Sequence, residues 1–169
     1  MDDMEDFIVR RAGRSDARAF LALLTALAGF ERLEPPNEAA KRRIVSDIFA
    51  RHRLGLFVAE AGGELVGYAL YFYSYSSFLG RATLDLEDIF VTEGHRGKGI
   101  GSALFRMCAK EAISKKCGRM EWAVLTWNRK AINFYEKVGA KRLDDWYAYR
   151  LSSDQLANAT RTEGTGKCA

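Results

Sequence analysis

The chain has 169 residues, 48% of them hydrophobic and 28% charged, and a formal net charge of +4 at pH 7. This size and composition predict one globular domain with a substantial core. The most apolar stretch, residues 17–30, is too short to cross a membrane and contains Arg18, so we expect no membrane association. The acidic N-terminus lacks the pattern of an export signal, and the three cysteines show no paired spacing, which indicates a reducing, cytoplasmic location.

The positive charge raises the question of nucleic acid, but its distribution argues against such a partner. Lysine and arginine are scattered in short pairs, such as Arg42-Arg43 and Lys115-Lys116, and form no long basic block. The aromatic residues lie within apolar strand patterns and not between basic residues. We therefore expect no nucleic-acid partner, and a mildly basic surface also suits a polyanionic cofactor.

Apolar periodicity predicts a mixed succession of strands and helices along the chain. The first helix is expected to begin after the cap Ser15 and to end before Pro35-Pro36, and Asn37 is expected to cap the second. The later helices are predicted at 37–49, 100–116 and 130–138. The strands are predicted at 7–11, 56–61, 65–75, 84–91, 120–126 and 147–151. This order indicates a single α/β domain over residues 5–152, followed by a flexible tail at 153–169.

A glycine-rich segment, Arg96-Gly97-Lys98-Gly99-Ile100-Gly101, lies between the strand at 84–91 and the helix that follows. A helix start leaves amide N–H groups without intrahelical partners and carries partial positive charge, and glycines let a phosphate approach those amides. The spacing fits neither a P-loop nor a dinucleotide fingerprint, because Gly99 follows Lys98 and Ser102 stands where a glycine is needed. The segment indicates a diphosphate cradle, and the alternative is a glycine-rich turn that only caps a helix.

The pattern Arg96-x-x-Gly99-x-Gly101 resembles the acetyl-CoA pyrophosphate loop of the GNAT N-acetyltransferases. Three further segments, 68–75, 86–91 and 127–140, are similar to the spermidine/spermine N-acetyltransferase branch of that family. The resemblance runs from residue 7 to about residue 151 and implies the GNAT fold, a mixed and mostly antiparallel sheet flanked by helices. It also implies acetyl-CoA as the co-substrate, a small-molecule amine as the acceptor, and a homodimer.

Acetyl transfer to an amine needs a proton acceptor and benefits from a proton donor. An alkyl ammonium, with a reference pKa of about 10.4, must lose a proton before it attacks the thioester, and the leaving thiolate gains from an acid nearby. Glu87 fits the first role, because the alternation along 84–91 breaks at Glu87-Asp88 as it would at a β-bulge; the alternative is a solvent-facing strand residue. Tyr135 fits the second role through its match to the family's Asn-Phe-Tyr, and the alternative is core packing.

The resemblance also implies binding residues. For acetyl-CoA they are Ile89, Phe90, Val91, Arg96, Gly97, Lys98, Gly99, Ile100, Gly101, Ser102, Asn128, Lys130 and Ala131. For the amine they are Phe30, Glu31, Glu87, Glu121, Trp122 and Ala123. Asn128 is also expected to cap the helix at 130–138. No metal is expected, because His52 and His95 lack ligand spacing with any cysteine or carboxylate.

One position departs from the polyamine-binding pattern of the branch. Ser76 stands where the branch has an aspartate, which weakens attraction for a polycation, although Asp144-Asp145 could compensate. The acceptor is therefore expected to be a polyamine, a diamine or a lysine-like small molecule, with a protein lysine or N-terminal amine as the alternative. A non-catalytic acyl-CoA-binding regulatory module is the alternative of a different class, against which the presence of both Glu87 and Tyr135 argues.

Overall fold

The structure is a computed structural model that describes residues 6–161 of the chain. The chain divides into two compact units, Met1–Ala123 and Val124–Ala169. Within the described residues, the first unit contains five strands and three α-helices, and the second contains two short helices. The strands and the cores described below belong to the first unit.

The elements are numbered in chain order. The strands are β1 (Phe7–Arg11), β2 (Gly55–Ala61), β3 (Glu64–Ser76), β4 (Arg81–Val91) and β5 (Arg119–Glu121). The α-helices are α1 (Ala17–Glu31), α2 (Glu38–Phe49), α3 (Ile100–Ser114), α4 (Arg129–Lys137) and α5 (Ser153–Ala159). Two short 3-10 turns, Arg14–Asp16 and Glu93–His95, precede α1 and follow β4.

The described strands form one sheet in the order β1-β2-β3-β4-β5. The neighbours from β1 to β4 are antiparallel, whereas β5 runs parallel to β4. A parallel neighbour needs a crossover, and α3 provides it between β4 and β5. The mixed, mostly antiparallel sheet predicted from the sequence is therefore confirmed.

Both faces of the sheet are buried, because alternate residues of its central strands pack on different helices. On one face, Val58 and Tyr68 pack against Phe20 and other apolar residues of α1 and α2. On the opposite face, Phe57 and other inward residues pack against Leu104 and Cys108 of α3. The sheet is a rigid layer on which β4 presents different side chains to the two helical layers.

The predicted central helices are confirmed. Asn37 precedes α2, and its side-chain Oδ1 accepts a hydrogen bond from the amide of Ala40 at 2.9 Å. The observed α3 and α4 begin and end within two residues of the predicted limits. Apolar spacing and a capping asparagine therefore located these helices from local sequence alone.

The predicted start of α1 is wrong. Residues Arg14–Asp16 form a 3-10 turn, and α1 begins after Asp16 rather than after the predicted cap Ser15. The Asp16 carboxylate accepts hydrogen bonds from Arg10 at 2.6 and 3.0 Å and from the amide of Gly13 at 2.8 Å. The ion pair between Asp16 and Arg10 of β1 stabilises the 3-10 turn. A capping pattern describes only neighbouring residues and therefore does not predict this ion pair.

Two strand predictions are also wrong in the described chain. The strand predicted at 120–126 is confined to Arg119–Glu121, and residues 147–151 form no strand. Alternation shows only that a segment suits a sheet, whereas a strand requires a hydrogen-bonded neighbour. The described part of 140–152 forms no such ladder, and Tyr147 and Tyr149 are exposed.

Helix α5 occupies the start of the predicted tail. Its cap Ser152 accepts from the amide of Gln155 at 3.4 Å, and the Gln155 side chain accepts from the amide of Ser152 at 2.8 Å. This reciprocal capping box is a local sequence pattern, a serine followed three residues later by a glutamine. The end of the tail, 162–169, lies outside the described residues, and the domain limits 5–152 stay a prediction.

Candidate active site

Strand β4 contains a bulge at Glu87. Along the β3–β4 ladder Leu70 pairs with Asp88 and Tyr71 pairs with Leu86, so Glu87 is left without a partner residue on β3. The extra residue reverses the alternation: Leu86 faces the α3 side of the sheet, and Asp88 faces the α1 and α2 side. The bulge predicted from the broken alternation is confirmed, and the Glu87 side chain is exposed.

Three carboxyl groups interact around this bulge. The pKa of Asp88 is raised to about 6, chiefly by burial and in addition by the neighbouring charges of Glu87 and Glu31, whereas a hydrogen bond from the Tyr68 hydroxyl opposes the shift. That hydrogen bond is long, 3.4 Å from the Tyr68 oxygen to Asp88 Oδ2. Burial also raises the pKa of Glu31, the last residue of α1. The end of α1 and the bulge of β4 therefore share a negatively charged, partly desolvated group of carboxyls, named here the acidic group.

Asp88 and Tyr68 were not predicted as site residues. Their signal was present in the sequence as the second acid of the Glu87-Asp88 pair and as a tyrosine inside an apolar strand. Tyr68 is fully buried, and its ring packs edge-on against Phe20 at 5.0 Å. Its hydroxyl is nonetheless directed to the Asp88 carboxylate, and only the register of β3 with β4 reveals that pairing.

The outer edge of β4 is open beyond Asp85. The described part of β5 pairs only with residues Thr83–Asp85, and no other described strand continues that ladder. The backbone on this edge of Ile89–Val91 therefore has no strand neighbour in the described chain. Backbone polar groups need partners, so an extended ligand that carries amide groups fits this edge.

The glycine-rich segment presents the start of α3 without a side-chain cap. Gly97 and Gly99 have φ angles of 82° and 85°, a region that favours glycine, and Gly99 is the N-cap of α3. In the described chain, the N-cap residue provides no side chain that accepts a hydrogen bond from the free amides at the start of this helix. Gly101 does not have a left-handed backbone conformation, so its position does not require glycine. Within 4 Å, a Cβ there would meet the Val91 Cγ2 at 3.9 Å.

Arg96 closes the end of β4 rather than standing as an isolated charge at the mouth of the loop. Its Nε donates to the carbonyl oxygen of Val91 at 2.8 Å. Its guanidinium lies over the ring of Phe30, 4.7 Å from the centroid, and over the ring of Phe90 at 5.6 Å. The structure thus brings together the predicted residues Phe30, Glu31, Glu87 and Arg96.

The remaining predicted residues of the first unit lie at β5. Glu121 forms an ion pair with Arg119, at 2.9 Å between Oε1 and Nε. The Trp122 ring packs edge-on against Phe105 of α3 at 5.3 Å, which is a core contact. Ala123 ends the unit.

In the second unit, Asn128 caps α4. Its Oδ1 accepts a hydrogen bond from the amide of Ala131 at 3.2 Å, as the sequence predicted. Lys130 and Ala131 lie in the first turn of this helix. Tyr135 is buried on α4, and its ring lies 5.3 Å from that of Phe134.

Comparisons with known proteins identify the family. The sequence model of the Acetyltransferase (GNAT) family matches residues 19–140. Thialysine N-epsilon-acetyltransferase from Sus scrofa is 32% identical over 165 residues, which cover 90% of this chain and 96% of that protein. L-ornithine N5-acetyltransferase from Arabidopsis thaliana is 44% identical over 92 residues, 54% of this chain and 40% of that protein. Spermidine/spermine N(1)-acetyltransferase-like protein 1 from Homo sapiens is 30% identical over 164 residues, 90% of this chain and 24% of that protein.

Solved structures show the same fold. An integron cassette protein from V. cholerae superposes with a TM-score of 0.77 at 20% identity, covering 92% of this chain and 98% of the other. The fold and the sequence matches together define an acetyltransferase. The chain belongs to the acetyltransferase (GNAT) family, and it is an acetyl-CoA-dependent N-acetyltransferase that matches the diamine acetyltransferase branch. The resemblance predicted from the sequence is confirmed.

The described residues, 6–161, contain neither a candidate membrane span nor a candidate metal site. None of the helices described there has the length and apolar character needed to cross a membrane. No group of three or more His, Cys, Asp or Glu side chains in the same range is arranged to hold a metal ion.

Gly101→Val tests the glycine segment as the diphosphate site. The valine fits the helix and meets only Val91, but its side chain covers the amides that a diphosphate would approach, so CoA affinity should fall by at least about tenfold. Calorimetry with CoA measures the change. Gly29→Val, in α1 with open space around the new Cβ, controls for valine in a helix. Undiminished CoA affinity in folded Gly101→Val protein would contradict the assignment.

Asp88→Asn tests the desolvated carboxyl. Because the folded-state pKa is raised from 3.8 to about 6, the native state holds the Asp88 proton more tightly, and its stabilising effect is lost as pH rises through this range. The asparagine is neutral at every pH. The free energy of unfolding of the variant, relative to that of wild type, should therefore rise by about 2 kcal/mol between about pH 4 and pH 7. Denaturant unfolding at several pH values measures this, with Glu64→Gln at the exposed start of β3 as control. A stability difference independent of pH would refute the prediction.

Proposed function

We propose that this enzyme transfers the acetyl group of acetyl-CoA to the primary amine of a small diamine or lysine-like molecule by direct attack. The observation that carries the proposal is the group of carboxyls, Glu31, Glu87 and Asp88, around the bulge. Among the described residues no lysine or arginine forms an ion pair with any of the three. An alkyl ammonium would supply the missing positive charge.

The acetyl-CoA is proposed to bind at the open edge of β4 and the start of α3. The outer edge of 89–91, where β4 has no strand neighbour in the described chain, suits the amide groups of its pantetheine arm. The uncapped amides of α3 and the positive charge of Lys98 suit its diphosphate. These features fit the co-substrate in the first unit, and the roles of Asn128, Lys130 and Ala131 are proposed from the family resemblance alone.

The proposed chemistry assigns one proton acceptor and one proton donor. Glu87, exposed at the bulge, accepts a proton from the ammonium, and the neutral nitrogen then attacks the thioester carbon. The carbon–sulfur bond breaks as the new carbon–nitrogen bond is completed, and the departing sulfur takes a proton from the Tyr135 hydroxyl, a role proposed from the family resemblance alone. The nitrogen then loses its second proton, which restores the tyrosine hydroxyl, so the net proton released by the reaction stays on Glu87. No covalent intermediate on the protein is needed, so no cysteine or serine nucleophile is required.

The acceptor is proposed to be a short amine rather than a long polyamine. Two relatives are named for thialysine and L-ornithine, which are small amino acids with a side-chain amine, and a third is named for spermidine and spermine. Ser76 is buried, and its hydroxyl accepts from the amide of Leu79 at 3.3 Å, so it serves the β3–β4 turn. A long polyamine would therefore find no carboxylate at this position, where the polyamine-acetylating branch has an aspartate.

We further propose a cytoplasmic homodimer without nucleic-acid or membrane partners. The free thiols Cys108 and Cys117 suit a reducing compartment. Trp146, Tyr147 and Tyr149 are exposed on the second unit, and monomers rarely leave such a group of aromatic rings in water. A second copy of the chain is the proposed cover for these rings.

A panel of amines tests the proposed function. Release of free CoA thiol should be fastest with ornithine, thialysine and diaminobutane, and kcat/KM for spermine should be lower by about tenfold because one acidic contact is missing. Glu87→Gln provides the impaired control, which should bind CoA but turn over every amine slowly. A wild-type enzyme that handles spermine far better than the short amines would reverse the substrate assignment. Acetylation of peptides alone would favour a protein substrate.

Tyr135→Phe tests the proton donor. The change keeps the ring and its packing against Phe134 and removes only the hydroxyl, so kcat should fall by at least about tenfold while CoA affinity is retained. Steady-state kinetics and calorimetry measure the two quantities. Tyr147→Phe removes an exposed hydroxyl from the same unit and should leave kcat unchanged. Wild-type turnover by Tyr135→Phe, with chemistry rate-limiting, would assign Tyr135 to core packing.

A further inference from the structure

A second carboxylate lies on the same face of β4 as Asp88, on the other side of the bulge. Asp85 pairs with Phe72 of β3, and Asp88 pairs with Leu70. Phe72 and Leu70 are two residues apart, so the two aspartates face the same side of the sheet at a backbone separation of about 7 Å. Asp85 therefore extends the acidic group along the strand, away from the start of α3.

Two hydroxyl groups accompany Asp85. The Ser74 Oγ donates a short hydrogen bond to Asp85 Oδ2. Ser74 pairs in register with Thr83, which precedes Asp85 by two residues and shares its face of β4. The three side chains are thus mutual neighbours on one face of the β3–β4 ladder.

Thr83 is the unusual member of this group. It is 1% exposed, and within residues 6–161 its Oγ1 has no hydrogen-bond partner. Buried polar side chains are nearly always paired, because an unpaired one loses its water without replacement. A hydroxyl held beside a carboxylate in this state can accept a hydrogen bond from a donor that the free chain lacks.

The charge on Asp85 is not neutralised by the neighbouring arginine. Arg119 of β5 lies opposite Thr83 in the parallel ladder, and Glu121 lies opposite Asp85. The Arg119 guanidinium forms its ion pair with Glu121, at 2.9 Å. In the described chain no lysine or arginine forms an ion pair with Asp85, so a cationic ligand is the partner that this position lacks.

We propose that Asp85, Ser74 and Thr83 bind the distal ammonium of a substrate whose reacting amine lies at Glu87 and Asp88. An ammonium carries three N–H donors, and the carboxylate and two hydroxyls offer three acceptors. The separation of the two aspartates matches a substrate with two amines separated by about four carbons. Diaminobutane has this spacing, and ornithine has it between its side-chain and α-amino groups. The subsite rests on the proposed function and specifies its substrate as a dication.

Asp85→Asn tests the subsite with matched amines. The variant keeps the shape of the side chain and its hydrogen bond to Ser74 but removes the charge. For diaminobutane and ornithine, kcat/KM should fall about tenfold, mainly through KM, because the distal contact is equal in the ground and transition states. For butylamine, which has no distal ammonium, kcat/KM should stay within about twofold. Glu64→Gln, which removes the same charge from the exposed start of β3, should change none of these values.

Thr83→Val separates a binding role from a structural one. The valine fills the same space without the unpaired hydroxyl, so the melting temperature should rise or stay the same. The kcat/KM for diaminobutane should nevertheless fall several-fold while that for butylamine is retained. An equal change for both amines would assign Thr83 to the fold alone and would remove it from the subsite.

The outcomes distinguish this proposal from the proposed function. If wild type acetylates diaminobutane and butylamine, and Asp85→Asn leaves the ratio of their kcat/KM values unchanged, the proposed subsite is wrong. The proposed function as an amine acetyltransferase would then still stand. If diaminobutane loses activity in the variant but ornithine does not, the subsite binds diamines and not the α-amino group of an amino acid. If wild type binds CoA but acetylates no amine of the series, the proposed function fails and the subsite fails with it.

Discussion

One extra residue in β4 determines which side chains of the strand face each layer of helices. Without Glu87 as a bulge, strict alternation would place Asp88 and Phe90 toward α3 and would turn Ile89 and Val91 toward α1 and α2. The observed register does the reverse, since Phe90 packs with Tyr68 and Phe20, while Ile89 and Val91 pack on the α3 side. The bulge therefore places the Asp88 carboxyl beside Tyr68 and projects Glu87 out of the ladder. A single added residue thus sets the positions of the two β4 carboxyls, Glu87 and Asp88, of the acidic group.

That group opposes folding. Burial raises the pKa of Asp88 and of Glu31, which have no ion pair among the described residues, so their ionised forms are destabilised in the native protein. Groups with such perturbed pKa values concentrate at functional sites, where the missing countercharge comes from the substrate. Asp85 lies further along β4, where it has a hydrogen bond from Ser74 and no ion pair in the described chain. The proposed site for a cationic ligand therefore extends along about two residue pairs of the ladder.

Arg96 contacts both the end of β4, next to the proposed acetyl-CoA site, and the end of α1, next to the proposed amine site. Its hydrogen bond to the Val91 carbonyl holds the end of β4, and its stacking on Phe30 holds the end of α1 next to Glu31. The glycines that follow adopt left-handed conformations and lead directly into α3. One arginine therefore fixes the acidic end of α1 relative to the loop proposed to hold the diphosphate. Its charge rests on aromatic rings, which leaves the helix amides and Lys98 as the positive groups of that loop.

Local sequence determined the features that depend on near neighbours along the chain. Periodicity located α2, α3 and α4, the side chain of Asn37 specified a helix start, and the broken alternation at Glu87-Asp88 located the bulge. The glycine pattern, together with the family resemblance, was sufficient for the acetyltransferase class. These are properties of short segments, and short segments carry their own steric and hydrogen-bonding preferences.

Tertiary structure decided everything that depends on distant partners. The start of α1 follows from the ion pair between Arg10 and Asp16, and residues 147–151 form no strand because no neighbour pairs with them in the described chain. The neighbourhood of Asp88, Tyr68 and Glu31, and the grouping of Asp85 with Ser74 and Thr83, exist only through strand register and helix packing. The sequence by itself determined the class of enzyme, and the folded sheet decided which carboxylates lack a countercharge. Desolvation and pairing depend on what surrounds a side chain in space, and a linear pattern does not contain that information.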